Sequence, residues 1–103
     1  MKILDLPLKK EWFKMIESGE KTEEYREIKP YWIERLTWHE AFDNWIDPQR
    51  SPKPYTHIRF RNGYTKSIIL FELKGIRIGR GKPEWGAPAD KDVFILKLGN
   101  RIE

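Results

Sequence analysis

No apolar run in this sequence is longer than four residues. Ile68-Ile69-Leu70-Phe71 is the size of a strand, far short of the roughly 18 residues that a membrane-spanning helix needs. The chain has 103 residues, and a chain of that length buries only about 60–70% of its unfolded surface. A core must therefore be assembled from short pieces spread along the whole sequence. A single domain over residues 1–103 is the expectation, and two independent catalytic domains are excluded. Aromatic residues make up 14% of the chain, enough to supply that core and to argue against disorder. Cysteine is absent, which excludes disulfides, zinc–thiolate sites and Cys nucleophiles. With no long apolar stretch after Met1-Lys2-Ile3-Leu4-Asp5, no secretory signal is visible. The expectation is a cytoplasmic protein with no membrane partner.

Periodicity orders the pieces. Lys2–Leu6 reads as a strand closed by Pro7. Leu8, Trp12, Met15 and Ile16 then recur at helical spacing and predict an amphipathic helix of about ten residues. Ser18-Gly19 ends it, with Gly19 placed to take the left-handed conformation. Thr22–Glu27 reads as the next strand. Pro30 opens a short helix through Leu36, because its missing N–H costs nothing in a first turn. Trp38, Phe42 and Trp45 suggest a further short amphipathic piece before Pro48, Pro52 and Pro54. From Tyr55 the pattern turns to strands: Tyr55–Phe60, a hairpin at Asn62-Gly63, and Ser67–Leu73 with a continuation through Ile76 and Ile78. Gly79–Pro83 breaks that run, Glu84–Asp90 is a loop, and Val93–Leu98 is the last strand, ended by Gly99-Asn100. The order predicts a small α+β domain with a curved or barrel-like sheet.

Charge is unevenly spread. Residues 1–50 carry 9 basic and 11 acidic side chains, and residues 51–103 carry 11 basic and 5 acidic. The net of +4 suits RNA, DNA or a phosphate-bearing ligand as partner, or a plain solvated surface. One strand is anomalous. Lys21 to Arg26 holds five ionisable side chains in six residues, just past the helix-ending glycine. Neither face of that strand is apolar. Thr22, Glu24 and Arg26 share one face; Glu23, Tyr25 and Glu27 share the other. Burial there demands pairing. A carboxylate between two cations can orient a ligand amine, take up a proton, or lock the fold. The two cations can hold a phosphate or an oxyanion.

Gly19-Glu20-Lys21-Thr22-Glu23-Glu24-Tyr25-Arg26 also carries a G-x-K-x-x-E-x-R pattern that resembles the signature of the ASCH domain, a relative of the PUA RNA-binding fold. Leu6–Ser18 resembles that family's opening strand and helix, and Val93–Leu98 its closing strand. Arg61-Asn62-Gly63-Tyr64 and Gly79–Gly86 resemble segments of its small stand-alone bacterial and phage members. The likeness spans nearly the whole chain. It implies a β-barrel of about five or six strands with flanking helices. It also implies a cleft around Lys21, Glu24 and Arg26 that receives RNA or a modified nucleoside. One branch of the family hydrolyses N4-acetylcytidine with the motif lysine, a threonine and a later carboxylate, and another member is described as a nuclease. For that alternative the candidate catalytic residues are Lys21, Glu24, Arg26 and Glu72, with Glu24 standing where the hydrolase branch has its threonine. A carboxylate is a poor nucleophile toward an amide, so it would have to act on water. A third reading is a protein-interaction module in which the charged motif is purely structural.

Further ligand-binding candidates follow from aromatic and basic neighbours. Lys29, Tyr31 and Trp32 set cations beside rings, the pattern used to hold single-stranded RNA; helix packing is an equal role for Trp32. Tyr25 lies on the strand face opposite Glu24 and is expected off the pocket wall. Arg59 and Arg61 share a strand face and, with Lys66, Lys74, Arg77, Arg80 and Lys82, form a candidate phosphate surface. Gly79-Arg80-Gly81-Lys82 lacks the P-loop pattern and reads as a tight turn. Trp85 is placed to lid the cleft or cap the barrel end. The two histidines, His39 and His57, lack partners at metal-ligand spacing, so no metal and no cofactor are expected.

Overall fold

Strand alternation builds the sheet in a computed structural model that describes residues 1–37 and 52–103. The helical piece read from Trp38, Phe42 and Trp45, and His39 with it, lies outside the described residues. The described residues hold five strands: β1 (Ile3–Leu8), β2 (Glu23–Arg26), β3 (His57–Asn62), β4 (Ile68–Gly79) and β5 (Val93–Arg101). Two helices, α1 (Lys10–Glu17) and α2 (Pro30–Leu36), and a short 3-10 turn at Pro83–Trp85 complete the order. The strands form one sheet in the order β1-β3-β4-β5-β2, curled into half a barrel. The β1–β3 pair is parallel and the others are antiparallel. No helix among the described residues is long and apolar enough to cross a membrane.

β4 is the spine of the curl. Its first half pairs with β3 and its second half with β5. Register shifts between Phe71 and Leu73 and between Leu73 and Gly75 bend it between the two partners, as bulges do. The run read as Ser67–Leu73 with a continuation is thus one strand. β5 runs past Gly99-Asn100 to Arg101 instead of ending there. Gly99 serves close approach, since a Cβ on it would lie 3.1 Å from that of Glu72. Leu4, Leu6, Ile58, Phe60, Ile69, Phe94 and Leu96 are among the buried core residues.

β1 extends through Pro7 to Leu8, two residues beyond the sequence expectation. It is an edge strand, where a residue without an N–H is tolerated. The Asp5 carbonyl accepts a hydrogen bond from Arg35 Nη2 at 2.7 Å, and the Pro7 carbonyl accepts one from Arg26 Nη2 at 3.2 Å. Two guanidiniums therefore cap this edge. The buried stripe of α1 (Lys10–Glu17) differs from the expected one. Leu8 belongs to β1, and Phe13 and Ile16 carry the burial. Trp12 and Met15 are only partly buried. The glycine end is as expected: Gly19 has φ +88°, its N–H donates to Ile16 O at 3.1 Å, and the Lys21 N–H donates to Met15 O at 2.9 Å. That hook fixes where Lys21 leaves the helix.

Candidate functional site

The motif side chains come together around a buried ammonium. Lys21 has a fully buried side chain. Its Nζ donates to Glu24 Oε1 at 2.8 Å and to the Trp85 carbonyl at 2.6 Å. It also lies 4.6 Å from the centre of the Trp12 ring and 5.5 Å from that of Tyr25. Three donor directions thus meet a carboxylate, a carbonyl and an indole face, which offsets the loss of water. Glu24 is equally occupied. Its Oε1 also accepts from the Tyr25 N–H at 3.0 Å, and its Oε2 accepts from Arg26 Nη1 at 2.7 Å. Both residues are interior parts of the molecule, reached from α1, β2 and the β4–β5 loop at once.

Arg26 is the member that faces outward. Nη1 is held by Glu24 and by the Tyr25 carbonyl, and Nη2 reaches Pro7 O across the open side of the half-barrel. The guanidinium carbon sits 5.1 Å from the Trp32 ring centre, and Arg35 lies against the same ring at 5.7 Å. Nε–H and one Nη2–H of Arg26 have no hydrogen-bond partner among the described residues. Arg26 and Trp32 line a cavity of about 480 Å³ together with Tyr25, Glu27, Gly86, Ala87, Pro88, Lys91 and Val93. Its size lies within the roughly 300–1,000 Å³ of small-molecule sites.

Tyr25 lines this cavity, whereas Glu24 and Lys21 do not. The strand register does set Tyr25 and Glu24 on opposite faces: Glu24 pairs with Leu96 of the main core, Tyr25 with Ile95. The cavity lies by the end of β2, where Tyr25, Arg26 and Glu27 meet Val93 of the paired strand β5. On the Tyr25 side the β4–β5 loop folds back to form a second small core of Tyr25, Ala87, Val93 and Ile95, with Trp85 packed on it. The Tyr25 hydroxyl donates to Glu23 Oε1 at 2.9 Å and accepts from the Lys82 N–H at 3.1 Å. Burial, aided by the Glu23 carboxylate and opposed by the Lys82 N–H, pushes its pKa up to about 12. Gly81 is obligatory here, since a Cβ on it would come 2.6 Å from that of Ala87.

Glu72 is not brought to the motif. It is half-buried and accepts from the Asn100 N–H at 3.3 Å, not from Lys21 or Arg26. It lies four residues along β4 from Ile76, the residue in register with Leu96 and Glu24, or roughly 13 Å at strand rise. Its apolar neighbours Phe71 and Leu73 point to the core while Glu72 itself turns the other way, as alternation requires.

The remaining candidates are dispersed. Lys29 is exposed at the start of α2, and Tyr31 packs edge-on to Trp32 at 4.7 Å. Arg59 grips Asp5 through both Nε and Nη2, which raises its pKa further and occupies its charge. Arg61 reaches Thr65 O at 3.5 Å. Arg80 pairs with Asp92. Lys82 lies over the Trp85 ring at 4.3 Å, so Trp85 anchors the loop, with its carbonyl on Lys21 and its ring under Lys82. Lys91, Gly86 and Pro88 escaped the sequence reading. The signal was Gly86 after Trp85: its φ is +100°, and it turns the loop against the Trp12 ring. Comparison of the chain with protein-family models, with curated proteins and with solved structures returns no match.

Proposed function

We propose that this chain is a cytoplasmic, PUA-like domain of the ASCH type that binds RNA or a modified nucleoside in the cleft at the edge of β2. The observation that carries the reading is Arg26. Its guanidinium lies on the Trp32 ring, is held from behind by Glu24, and keeps two N–H groups for a ligand on the wall of a cavity of about 480 Å³. Pinning by a carboxylate and stacking on an indole preorganise the fork, so less entropy is lost when it meets a phosphate or a base carbonyl. Lys91 adds a second cation to the lining, and the partly exposed Pro88 adds an apolar contact beside it. Lys21 and Glu24 act through Arg26 in this reading, as positioning residues. The amidohydrolase alternative draws no support from the geometry, because among the described residues Glu24 is the one carboxylate bonded to Lys21 and Glu72 lies elsewhere.

An isotope-edited NMR titration with cytidine, N4-acetylcytidine, single-stranded RNA and duplex DNA tests the reading. The expected shifts concentrate at Tyr25, Arg26, Trp32 and Gly86. Arg26→Ala should weaken binding about ten- to a hundredfold, the loss of charged hydrogen bonds. Lys91→Ala, remote from the buried network, should weaken it less. Shifts absent from these residues with every probe would refute the cleft and leave the protein-interaction reading.

A further inference from the structure

The turn between β3 and β4 holds the most exposed aromatic residue in the described chain, Tyr64, whose side chain is entirely in solvent. The turn beneath it is well tied. Gly63, at φ +57°, donates its N–H to Leu8 O at 2.8 Å, fastening the tip to β1. Thr65 donates through both N–H and Oγ1 to Asn62 O, and Ser67 N–H donates to Thr65 Oγ1. A large ring is thus presented to water on a rigid support. Its sequence neighbours are basic: Arg61 and Lys66 flank it and no acidic residue occurs between Asp47 and Glu72, while Lys9 and Lys10 follow Leu8, with Glu11 after them.

A second observation joins this tip to the cleft. Pro7 accepts a hydrogen bond from Arg26 through its carbonyl. The same residue lines a shallow recess of about 160 Å³ on the outer face, with Asp5, Leu6, Arg59, Arg61 and Ile68. Ile68 is half exposed there, and the adjoining Asp5 charge is taken up by Arg59. From Arg26 a path therefore leads over Pro7, past Arg61 and Ile68, to Tyr64.

We propose that this path is the track of a single nucleic-acid strand, with one nucleotide in the cleft, its neighbours' phosphates on Arg61 and Lys66, and an unpaired base stacked on Tyr64. The identity of the ligand rests on the cleft reading above; the track and the stacking residue are additional. A ring standing clear of the surface meets the face of an unpaired base, whereas bases within a duplex are already stacked on each other. The cations beside it supply the phosphate contacts that such a platform uses.

Fluorescence anisotropy with octauridylate and titration with cytidine 5′-monophosphate, over a series of salt concentrations, separate the two claims. Tyr64→Ala should weaken octauridylate binding about five- to 150-fold, the stacking of one base, and leave the mononucleotide unaffected. Tyr64→Phe should restore the octamer. Arg61→Ala should lower the slope of log K against log salt by about 0.7. If Tyr64→Ala binds the octamer as the parent does while Arg26→Ala weakens both probes, the track is wrong and the cleft stands. If Tyr64→Ala loses the octamer and no mononucleotide binds, the cleft is wrong and the stacking surface stands. If the parent binds neither probe, or binds instead an acidic peptide at the tip, both claims fall.

Discussion

Lys21 and Arg26 are both basic residues of one short motif, yet they have opposite relations to solvent. The Lys21 side chain is fully buried, and that of Arg26 retains 17% of its exposure. A buried cation with a carboxylate, a carbonyl and an indole around it is matched to its cavity, and removing it leaves Glu24 with a vacated space beside it. Lys21→Ala should lower stability by about 3–5 kcal/mol. In a double-mutant cycle, Lys21→Met and Glu24→Gln should be strongly non-additive in urea unfolding. A parent-like midpoint for Lys21→Ala would show that the network does not hold the fold. The sequence announced an ionic cluster here through its density of charge and the glycine before it. It did not announce which cation would be sealed in. Alternation assigns a residue to a face, but only the later loop, folding back with the Trp85 carbonyl, decides that Lys21 is covered.

At the scale of elements, β2 is too short and too polar to stand by its own packing, and the loop from Arg80 to Asp92 supplies what it lacks. Tyr25 is the tie, bonded to Glu23 on its own strand and to Lys82 on the loop. Its hydroxyl holds its proton more tightly in the fold, at about 12, than in the unfolded chain at about 10. Because the folded value is the higher one, the tie contributes fully below pH 10 and is lost as the pH rises from about 10 to 12. Urea midpoints should therefore fall across that window in the parent, and fall less in Tyr25→Phe; equal declines would mean that Tyr25 is not the group responsible. Most elements were legible in the pattern. α2 begins at its proline, α1 ends at Gly19, and the Asn62-Gly63 turn joins β3 to β4. The misreadings share a cause. Pro7 and Gly99 are strand breakers by local rule, but one lies on a sheet edge and the other beneath a crossing side chain, and both circumstances are set by partners distant in sequence. Phe13 is missing from the expected helical stripe because that stripe is counted from Leu8, which belongs to β1.

At the scale of the whole molecule, the described residues form an incompletely closed barrel whose open side is spanned by side chains. Arg26 and Arg35 bond to β1 carbonyls where a further strand would otherwise pair. Such capping protects an edge from joining another chain. Arg35→Ala should leave the fold intact while raising amide exchange between β1 and β3 by about fivefold, near 1 kcal/mol, with β4–β5 amides unchanged. Equal protection in parent and variant would exclude a stabilising role for the cap. The curl also explains why the candidate site was only half legible. Its charged half lies in eight consecutive residues, but its other wall, from Gly86 to Lys91, arrives from the far end of the sequence.

The order of the sheet also governs when this protein can exist during its own synthesis. Ile3 waits for His57, and Glu23 waits for Lys97. The first strand therefore stays unpaired until the third has been made, and the second until the fifth. The locally connected β3–β4 and β4–β5 pairs are the natural place for folding to begin, with β1 and β2 docking afterward. β5 lies inside the sheet although it is the last of the described strands to be made. A ribosome that stalled before Val93 would release a chain lacking an interior strand, with β2 and its charged residues left exposed for chaperones and proteases to find.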